Sequence, residues 1–149
     1  MTKLVRVSET HGRTGLNFER AKLGEAAAVQ AAYREIIDYL AATVDYPHWH
    51  SENHPGSDLV AEWVSTGNLY VARGEASGGI AGLVALDHNA PGGYADAAWG
   101  IEAAREQVLI VHGLGVTPRF QHRGVARFLI DQIIGVARKR GCLVVRLDV

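Results

Sequence analysis

The chain has 149 residues, 48% of them apolar and 21% charged, with 15 basic against 16 acidic side chains and a formal net charge of −1. That length suits one domain over residues 1–149, and the charge balance excludes a global field that would draw nucleic acid or an anionic membrane. The lone cysteine, Cys142, excludes an intramolecular disulfide, and no apolar run approaches the ~20 residues of a membrane span.

The N-terminus lacks the apolar core of a signal peptide, so a cytoplasmic protein is expected. "KLVRV" reads as a short extra strand within residues 1–15, followed by a polar turn. "LNFERA" (Leu16–Ala21) reads as a second strand. Gly24 to Thr43 predicts a helix, because Val29, Tyr33, Ile36 and Leu40 share one stripe at spacings of three and four. Asp45 to Asp58 is a loop rich in aromatics and histidine. Ser57 is the expected N-cap of a short helix ending near Gly67, with Asp58 in its first turn.

"LYVAR" (Leu69–Arg73) and "IAGLVALD" (Ile80–Asp87) read as strands joined by a hairpin loop, "GEASGG". "HNAPGG" is a turn-rich loop. Tyr94 to Glu106 is ambiguous between helix and loop. "QVLIVHGLGV" (Gln107–Val116) is a long apolar strand whose Gly113 and Gly115 suggest a bulge or a close approach. Gly124 to Arg140 predicts a second helix, with Val125, Phe128, Leu129, Ile133, Val136 and Ala137 inward. Gly141 then stops it, and "CLVVRLDV" returns as a buried strand with Cys142 in the core. Strand, helix and strand with short joins make a parallel pair, whereas the upstream hairpin is antiparallel. The fold class is therefore α/β (α+β), a mixed and mostly antiparallel sheet with helices on both faces.

The turn before the second helix carries the strongest chemical signal. A helix N-terminus leaves about four backbone N–H groups unpaired and a partial positive charge, and such ends bind phosphates. Gly124 and Ala126 keep the approach open, and Arg119, His122, Arg123 and Arg127 add charge. The alternative is a solubilising basic loop. No Walker-type G-x-x-x-x-G-K-[ST] exists in the chain, and Gly113-Leu114-Gly115 is only a fragment of a dinucleotide fingerprint.

Val116-Thr117-Pro118-Arg119-Phe120 followed by Gln121-x-x-Gly124-x-Ala126 resembles motif A of the GNAT superfamily of acyl-CoA-dependent N-acyltransferases. The likeness covers Val108–Val149 well and the N-terminal half loosely. It implies acetyl-CoA as co-substrate, with no metal. The implied cofactor residues are the pantetheine-pairing Leu114, Gly115 and Val116 and the pyrophosphate cradle of Gln121, His122, Arg123, Gly124, Val125, Ala126 and Arg127. It further implies transfer of an acetyl group to a primary amine, most simply of a small molecule, by direct attack. The Leu114 backbone N–H is the implied oxyanion donor. A non-catalytic acyl-CoA-binding module of the same fold is the alternative function.

Proton removal from the amine needs a base. His112, just before the cofactor segment, is the first candidate, because histidine titrates near neutrality. Glu106 is the second. A structural histidine and an exposed strand-end glutamate are the alternatives. Tyr46, Trp49, His50, Tyr94 and Trp99 are candidates for an amine pocket, since aromatic faces attract cations. His48, His50 and His54 match no standard metal signature, so no metal site is expected. Family members normally continue past the last strand with a helix and two strands, which supply a general acid and a cofactor contact. No residue here matches those positions. The final strand would then have an open edge, which "KLVRV" could cover from the same chain or from a second copy in a homodimer.

Overall fold

The computed structural model describes residues 2–5, 15–89 and 104–148. The strands are β1 (Thr2–Val5), β2 (Leu16–Arg20), β3 (Leu69–Gly74), β4 (Ile80–Asp87), β5 (Val108–Val116) and β6 (Val144–Asp148). The helices are α1 (Ala26–Ala42), α2 (Trp49–Glu52), α3 (Ser57–Ser65) and α4 (Val125–Lys139).

Side-chain alternation along the central strands dictates the layers. In β3, Tyr70 and Ala72 face α4, while Leu69 and Val71 face α1 and α3. Because both faces of β3 and β4 are apolar, each must be covered, and helices do so on both sides. The α4 side gathers Phe128, Leu129, Ile133 and Ala137 over Val84, Leu86, Leu109 and Val111. The opposite side gathers Val29, Tyr33 and Ile36 of α1 with Val60, Trp63 and Val64 of α3. Leu40, expected on the same stripe, is only partly buried at the margin of that cluster.

The six strands lie in the order β1-β6-β5-β4-β3-β2. Among the described strands only β5 and β6 are parallel; every other neighbouring pair is antiparallel. The N-terminal strand covers the edge of β6 within the same chain, with Thr2 opposite Asp148 and Val5 opposite Val145. That edge therefore needs no strand from a second copy.

The α2 helix was not expected inside the Asp45–Asp58 loop. It exists because the Asp45 carboxylate accepts hydrogen bonds from the backbone N–H groups of Trp49, His50 and Ser51, at 2.8, 2.8 and 3.2 Å. Ser57 is also not the cap of α3. Gly56 is, because Val60 N–H already bonds the Gly56 carbonyl, which puts Ser57 inside the helix.

Candidate active site

The site is built around an irregularity in β5. Leu83 pairs with Gly115 and Ala85 with His112, so Gly113 and Leu114 together oppose the single residue Val84. This is a β-bulge, and it reverses which residues face which layer. Before it, Leu109 and Val111 face α4; after it, Leu114 and Val116 do. His112 and Gly113 consequently both face the α1–α3 layer, where Trp63 stacks on His112 and Tyr33 reaches Gly113.

Gly113 has a φ of +58°, which glycine adopts without strain. It also has no room for a side chain, since a Cβ there would lie 2.9 Å from the Tyr33 hydroxyl oxygen and 3.0 Å from Trp63 ring carbons. The Tyr33 hydroxyl donates to the Gly113 carbonyl at 2.7 Å. Tyr33 is buried, which raises its phenol well above the ordinary range and keeps it a neutral donor. At Gly115 a Cβ would press on Ile36 and Trp49. The close approach suggested by these glycines is therefore made by the protein's own side chains, Tyr33 and Trp63 at Gly113 and Ile36 and Trp49 at Gly115.

On its other edge β5 pairs with β6 only from Val108–Val144 to Val111–Leu147. Past the bulge, Gly113 to Val116 have no strand beside them on that edge among the described residues. The edge leads directly into the turn before α4. Thr117 is buried, and its hydroxyl bonds the Ile80 carbonyl at 2.9 Å. The Gln121 side-chain amide donates to the Val116 carbonyl at 3.1 Å, so Gln121 holds the turn closed. His122 and Gly124 follow with φ of +61° and +77°.

The first intrahelical bond at this end runs from Phe128 N–H to the Gly124 carbonyl. The N–H groups of Val125, Ala126 and Arg127 precede it and have no intrahelical acceptor. A Cβ at Gly124 would meet nothing within 4 Å. His122, Arg123, Ala126 and Arg127 are exposed around this end, and Val125 is buried beneath it. The Arg123 guanidinium lies over the Phe120 ring at 5.6 Å.

Beside the bulge, His112 Nε2 lies 2.7 Å from Asp87 Oδ1, with side chains 19% and 14% exposed. Burial pushes the Asp87 carboxyl up, but hydrogen bonds from His112 and the Asn89 N–H outweigh it and leave the group below its ordinary value. His54 packs edge-on against both Trp49 and Trp63. Burial pushes His54 below its ordinary value, with Glu52 opposing the shift and His112 adding to it.

Among the proposed pocket residues, Trp49 is buried against Tyr33. Tyr46 and His50 are exposed, and Tyr94 and Trp99 lie outside the described residues. Glu106 is exposed in the Arg105–Gln107 turn ahead of β5 and borders a groove lined also by Asp87, Asn68, His88 and Arg140. Sequence reasoning missed Asp87, Tyr33, Trp63 and His54 as site residues. A carboxylate ending the otherwise apolar run of β4 was the one available signal for Asp87. Among the described residues no cluster of three or more His, Cys, Asp or Glu could hold a metal, and no helix is long and apolar enough to cross a membrane. Cys142 is a buried core thiol, raised by that burial.

A parallel strand pair that opens at a bulge, beside a helix whose first N–H groups have no intrahelical acceptor, defines a mixed α/β architecture with an open strand edge at its centre. The model of the acetyltransferase (GNAT) family matches residues 36–149, and the chain belongs to that family. No curated protein matches the sequence. Among solved structures, a GNAT family acetyltransferase of Listeria monocytogenes superposes with a TM-score of 0.74 at 15% identity, covering 90% of this chain and 76% of that one. One from Streptococcus agalactiae gives 0.67 at 21% identity, covering 81% and 70%. The PaiA N-acetyltransferase of Thermoplasma acidophilum, solved with coenzyme A, gives 0.61 at 17% identity, covering 90% and 79%. At these identities the likeness is one of fold.

Proposed function

We propose that this protein transfers an acetyl group from acetyl-CoA to the primary amine of a small molecule, by direct attack and without a metal. The observation that carries the reading is the continuity of the unpaired β5 edge, from Gly113 to Val116, with the free N–H groups at the start of α4. The residues fit the co-substrate: the open edge suits an amide-bearing arm, and the helix end suits a pyrophosphate. Leu114, Gly115 and Val116 would hold the arm. His122 to Arg127 would hold the phosphates, with Gln121 keeping the turn in shape. Acetyl-CoA supplies an activated thioester, and the thiolate is its leaving group.

The protein's own part is placement and proton removal. The bulge is the natural position for a backbone oxyanion donor, with Leu114 N–H as the proposed group. His112 is the proposed base, one residue from the bulge. Buried Trp49 and Trp63, with His54 between them, form an aromatic wall suited to an amine cation. The location that goes with this reaction is the cytoplasm.

Calorimetric titration with acetyl-CoA tests the reading, followed by thiol release across an amine panel. Micromolar binding is expected. Arg123→Glu with Arg127→Glu should weaken it by roughly tenfold or more, the worth of a charged hydrogen bond. A folded protein that does not bind acetyl-CoA would overturn the proposal.

A further inference from the structure

We infer that the proton-accepting atom of the site is Nδ1 of His112, and that Asp87 is the positioning residue that keeps this nitrogen free. The inference deepens the acyl-transfer reading above and rests on it. Its basis is the hydrogen-bond arithmetic of one contact. A carboxylate only accepts, and a neutral imidazole carries a single N–H. With Asp87 Oδ1 at 2.7 Å from Nε2, the N–H belongs on Nε2 and the lone pair on Nδ1.

Three further observations agree. Nδ1 has no hydrogen-bond partner among the described residues, and the His112 side chain is 19% exposed. The ring is fixed at a second point by Trp63, at 6.2 Å between centroids and 29° between planes. A ring flip would put Cε1 where Nε2 stands and so lose the Asp87 contact. Finally, His112 directly precedes Gly113, whose carbonyl Tyr33 pins at 2.7 Å. The lone pair is thus fixed relative to the bulge by the same layer of side chains.

The groups facing His112 are few. Asp87 comes from β4, with His88 beside it. The segment before α3 brings His54, which burial favours as neutral, with the Glu52 carboxylate beside it. From α1 comes Tyr33, a neutral phenol. Asp87 is the one carboxylate in contact with the ring among the described residues, so it also stabilises the imidazolium that forms.

The proposed step balances as follows. An ammonium gives one proton to Nδ1. The freed amine nitrogen forms a bond to the thioester carbonyl carbon, and the carbon–sulfur bond breaks. The sulfur leaves with its electron pair and takes a proton, and the amide nitrogen loses its second proton. One proton is released to solvent for each amide made.

The first test needs no variant and no acceptor. Long-range proton–nitrogen correlation on the labelled protein above pH 7 should show His112 as the Nε2–H tautomer. Next, Asp87→Asn keeps the shape but lets an amide donate to Nε2. It should cut turnover roughly 10²-fold or more and move the acidic limb of the pH–rate profile to lower pH, while acetyl-CoA affinity stays within about twofold. A wild-type His112 protonated on Nδ1, or an Asp87→Asn profile that superposes on wild type, overturns the inference and leaves acetyl-CoA binding intact. Wild-type protein that binds no acetyl-CoA would remove the acyl-transfer reading itself, and this inference with it.

Discussion

Two glycines with similar left-handed backbone conformations allow packing and ligand approach to be separated. Gly113 and Gly124 hold φ of +58° and +77°. Placing an L-residue in that region costs about 1–2 kcal/mol. For Gly124→Ala that strain is the whole cost, since the added methyl meets nothing within 4 Å. For Gly113→Ala the methyl collides with Tyr33 and Trp63, which are 1% and 6% exposed and have nowhere to go. Overpacking of this kind adds about 1–3 kcal/mol, and displacing the phenol forfeits roughly another 1 kcal/mol of hydrogen bond. The expected losses are therefore about 3–6 kcal/mol at Gly113 against about 1–2 kcal/mol at Gly124. Urea unfolding followed by tryptophan fluorescence measures both. Acetyl-CoA titration of the folded Gly124→Ala protein should then show weakened binding despite the smaller stability loss. Equal destabilisation by the two substitutions would refute the assignment of Gly113 to packing. Unchanged affinity in Gly124→Ala would refute the open approach at α4.

Tyr33→Phe removes only the hydroxyl that holds the bulge carbonyl. It should cost about 1–3 kcal/mol in thermal or urea unfolding and lower turnover more than acetyl-CoA affinity; an unaltered enzyme would show that the bulge holds its shape without this bond. His54 should make stability depend on pH. Its value is depressed in the folded state, so the unfolded chain binds more protons below the ordinary histidine value of about 6.5. Its contribution is complete above that pH and is lost as pH falls toward the folded value. Urea unfolding at about pH 7.5 and 5.5 should show this loss in wild type and a smaller one in His54→Gln; parallel behaviour would place the proton elsewhere.

The parts of this fold legible in the sequence are those fixed by local spacing. The stripe of α4 from Val125 to Ala137 and the alternation in β3 and β4 needed only neighbours a few positions away. The Gly113 irregularity was legible because glycine stands out in an apolar run. The contacts that make the site belong to a different class. Asp87 meets His112 across 25 residues, and Tyr33 meets Gly113 across 80. Both depend on strand register, and a bulge shifts register by one residue and exchanges the faces. Glu106 and Tyr46 looked plausible from chemistry and proximity in the chain. Both are exposed, and strand register rather than chain proximity decides what reaches His112. The α2 helix escaped notice for the opposite reason: it is too short for a periodic pattern, and one carboxylate, Asp45, organises it.

The pairing of β1 with β6 has a consequence for the order of assembly. Among the described strands Thr2–Val5 is made before the other five and its partner Val144–Asp148 after them. Every other pair in the sheet joins strands much closer together in the chain. The β2–β3–β4 meander and the layers over it can therefore form while β1 still has no strand to pair with. Contacts of such long separation are slow to close. Of the described strands, the first to be made is thus the last able to join the sheet, and until β6 is in place both β1 and β5 expose edges open to pairing with another chain.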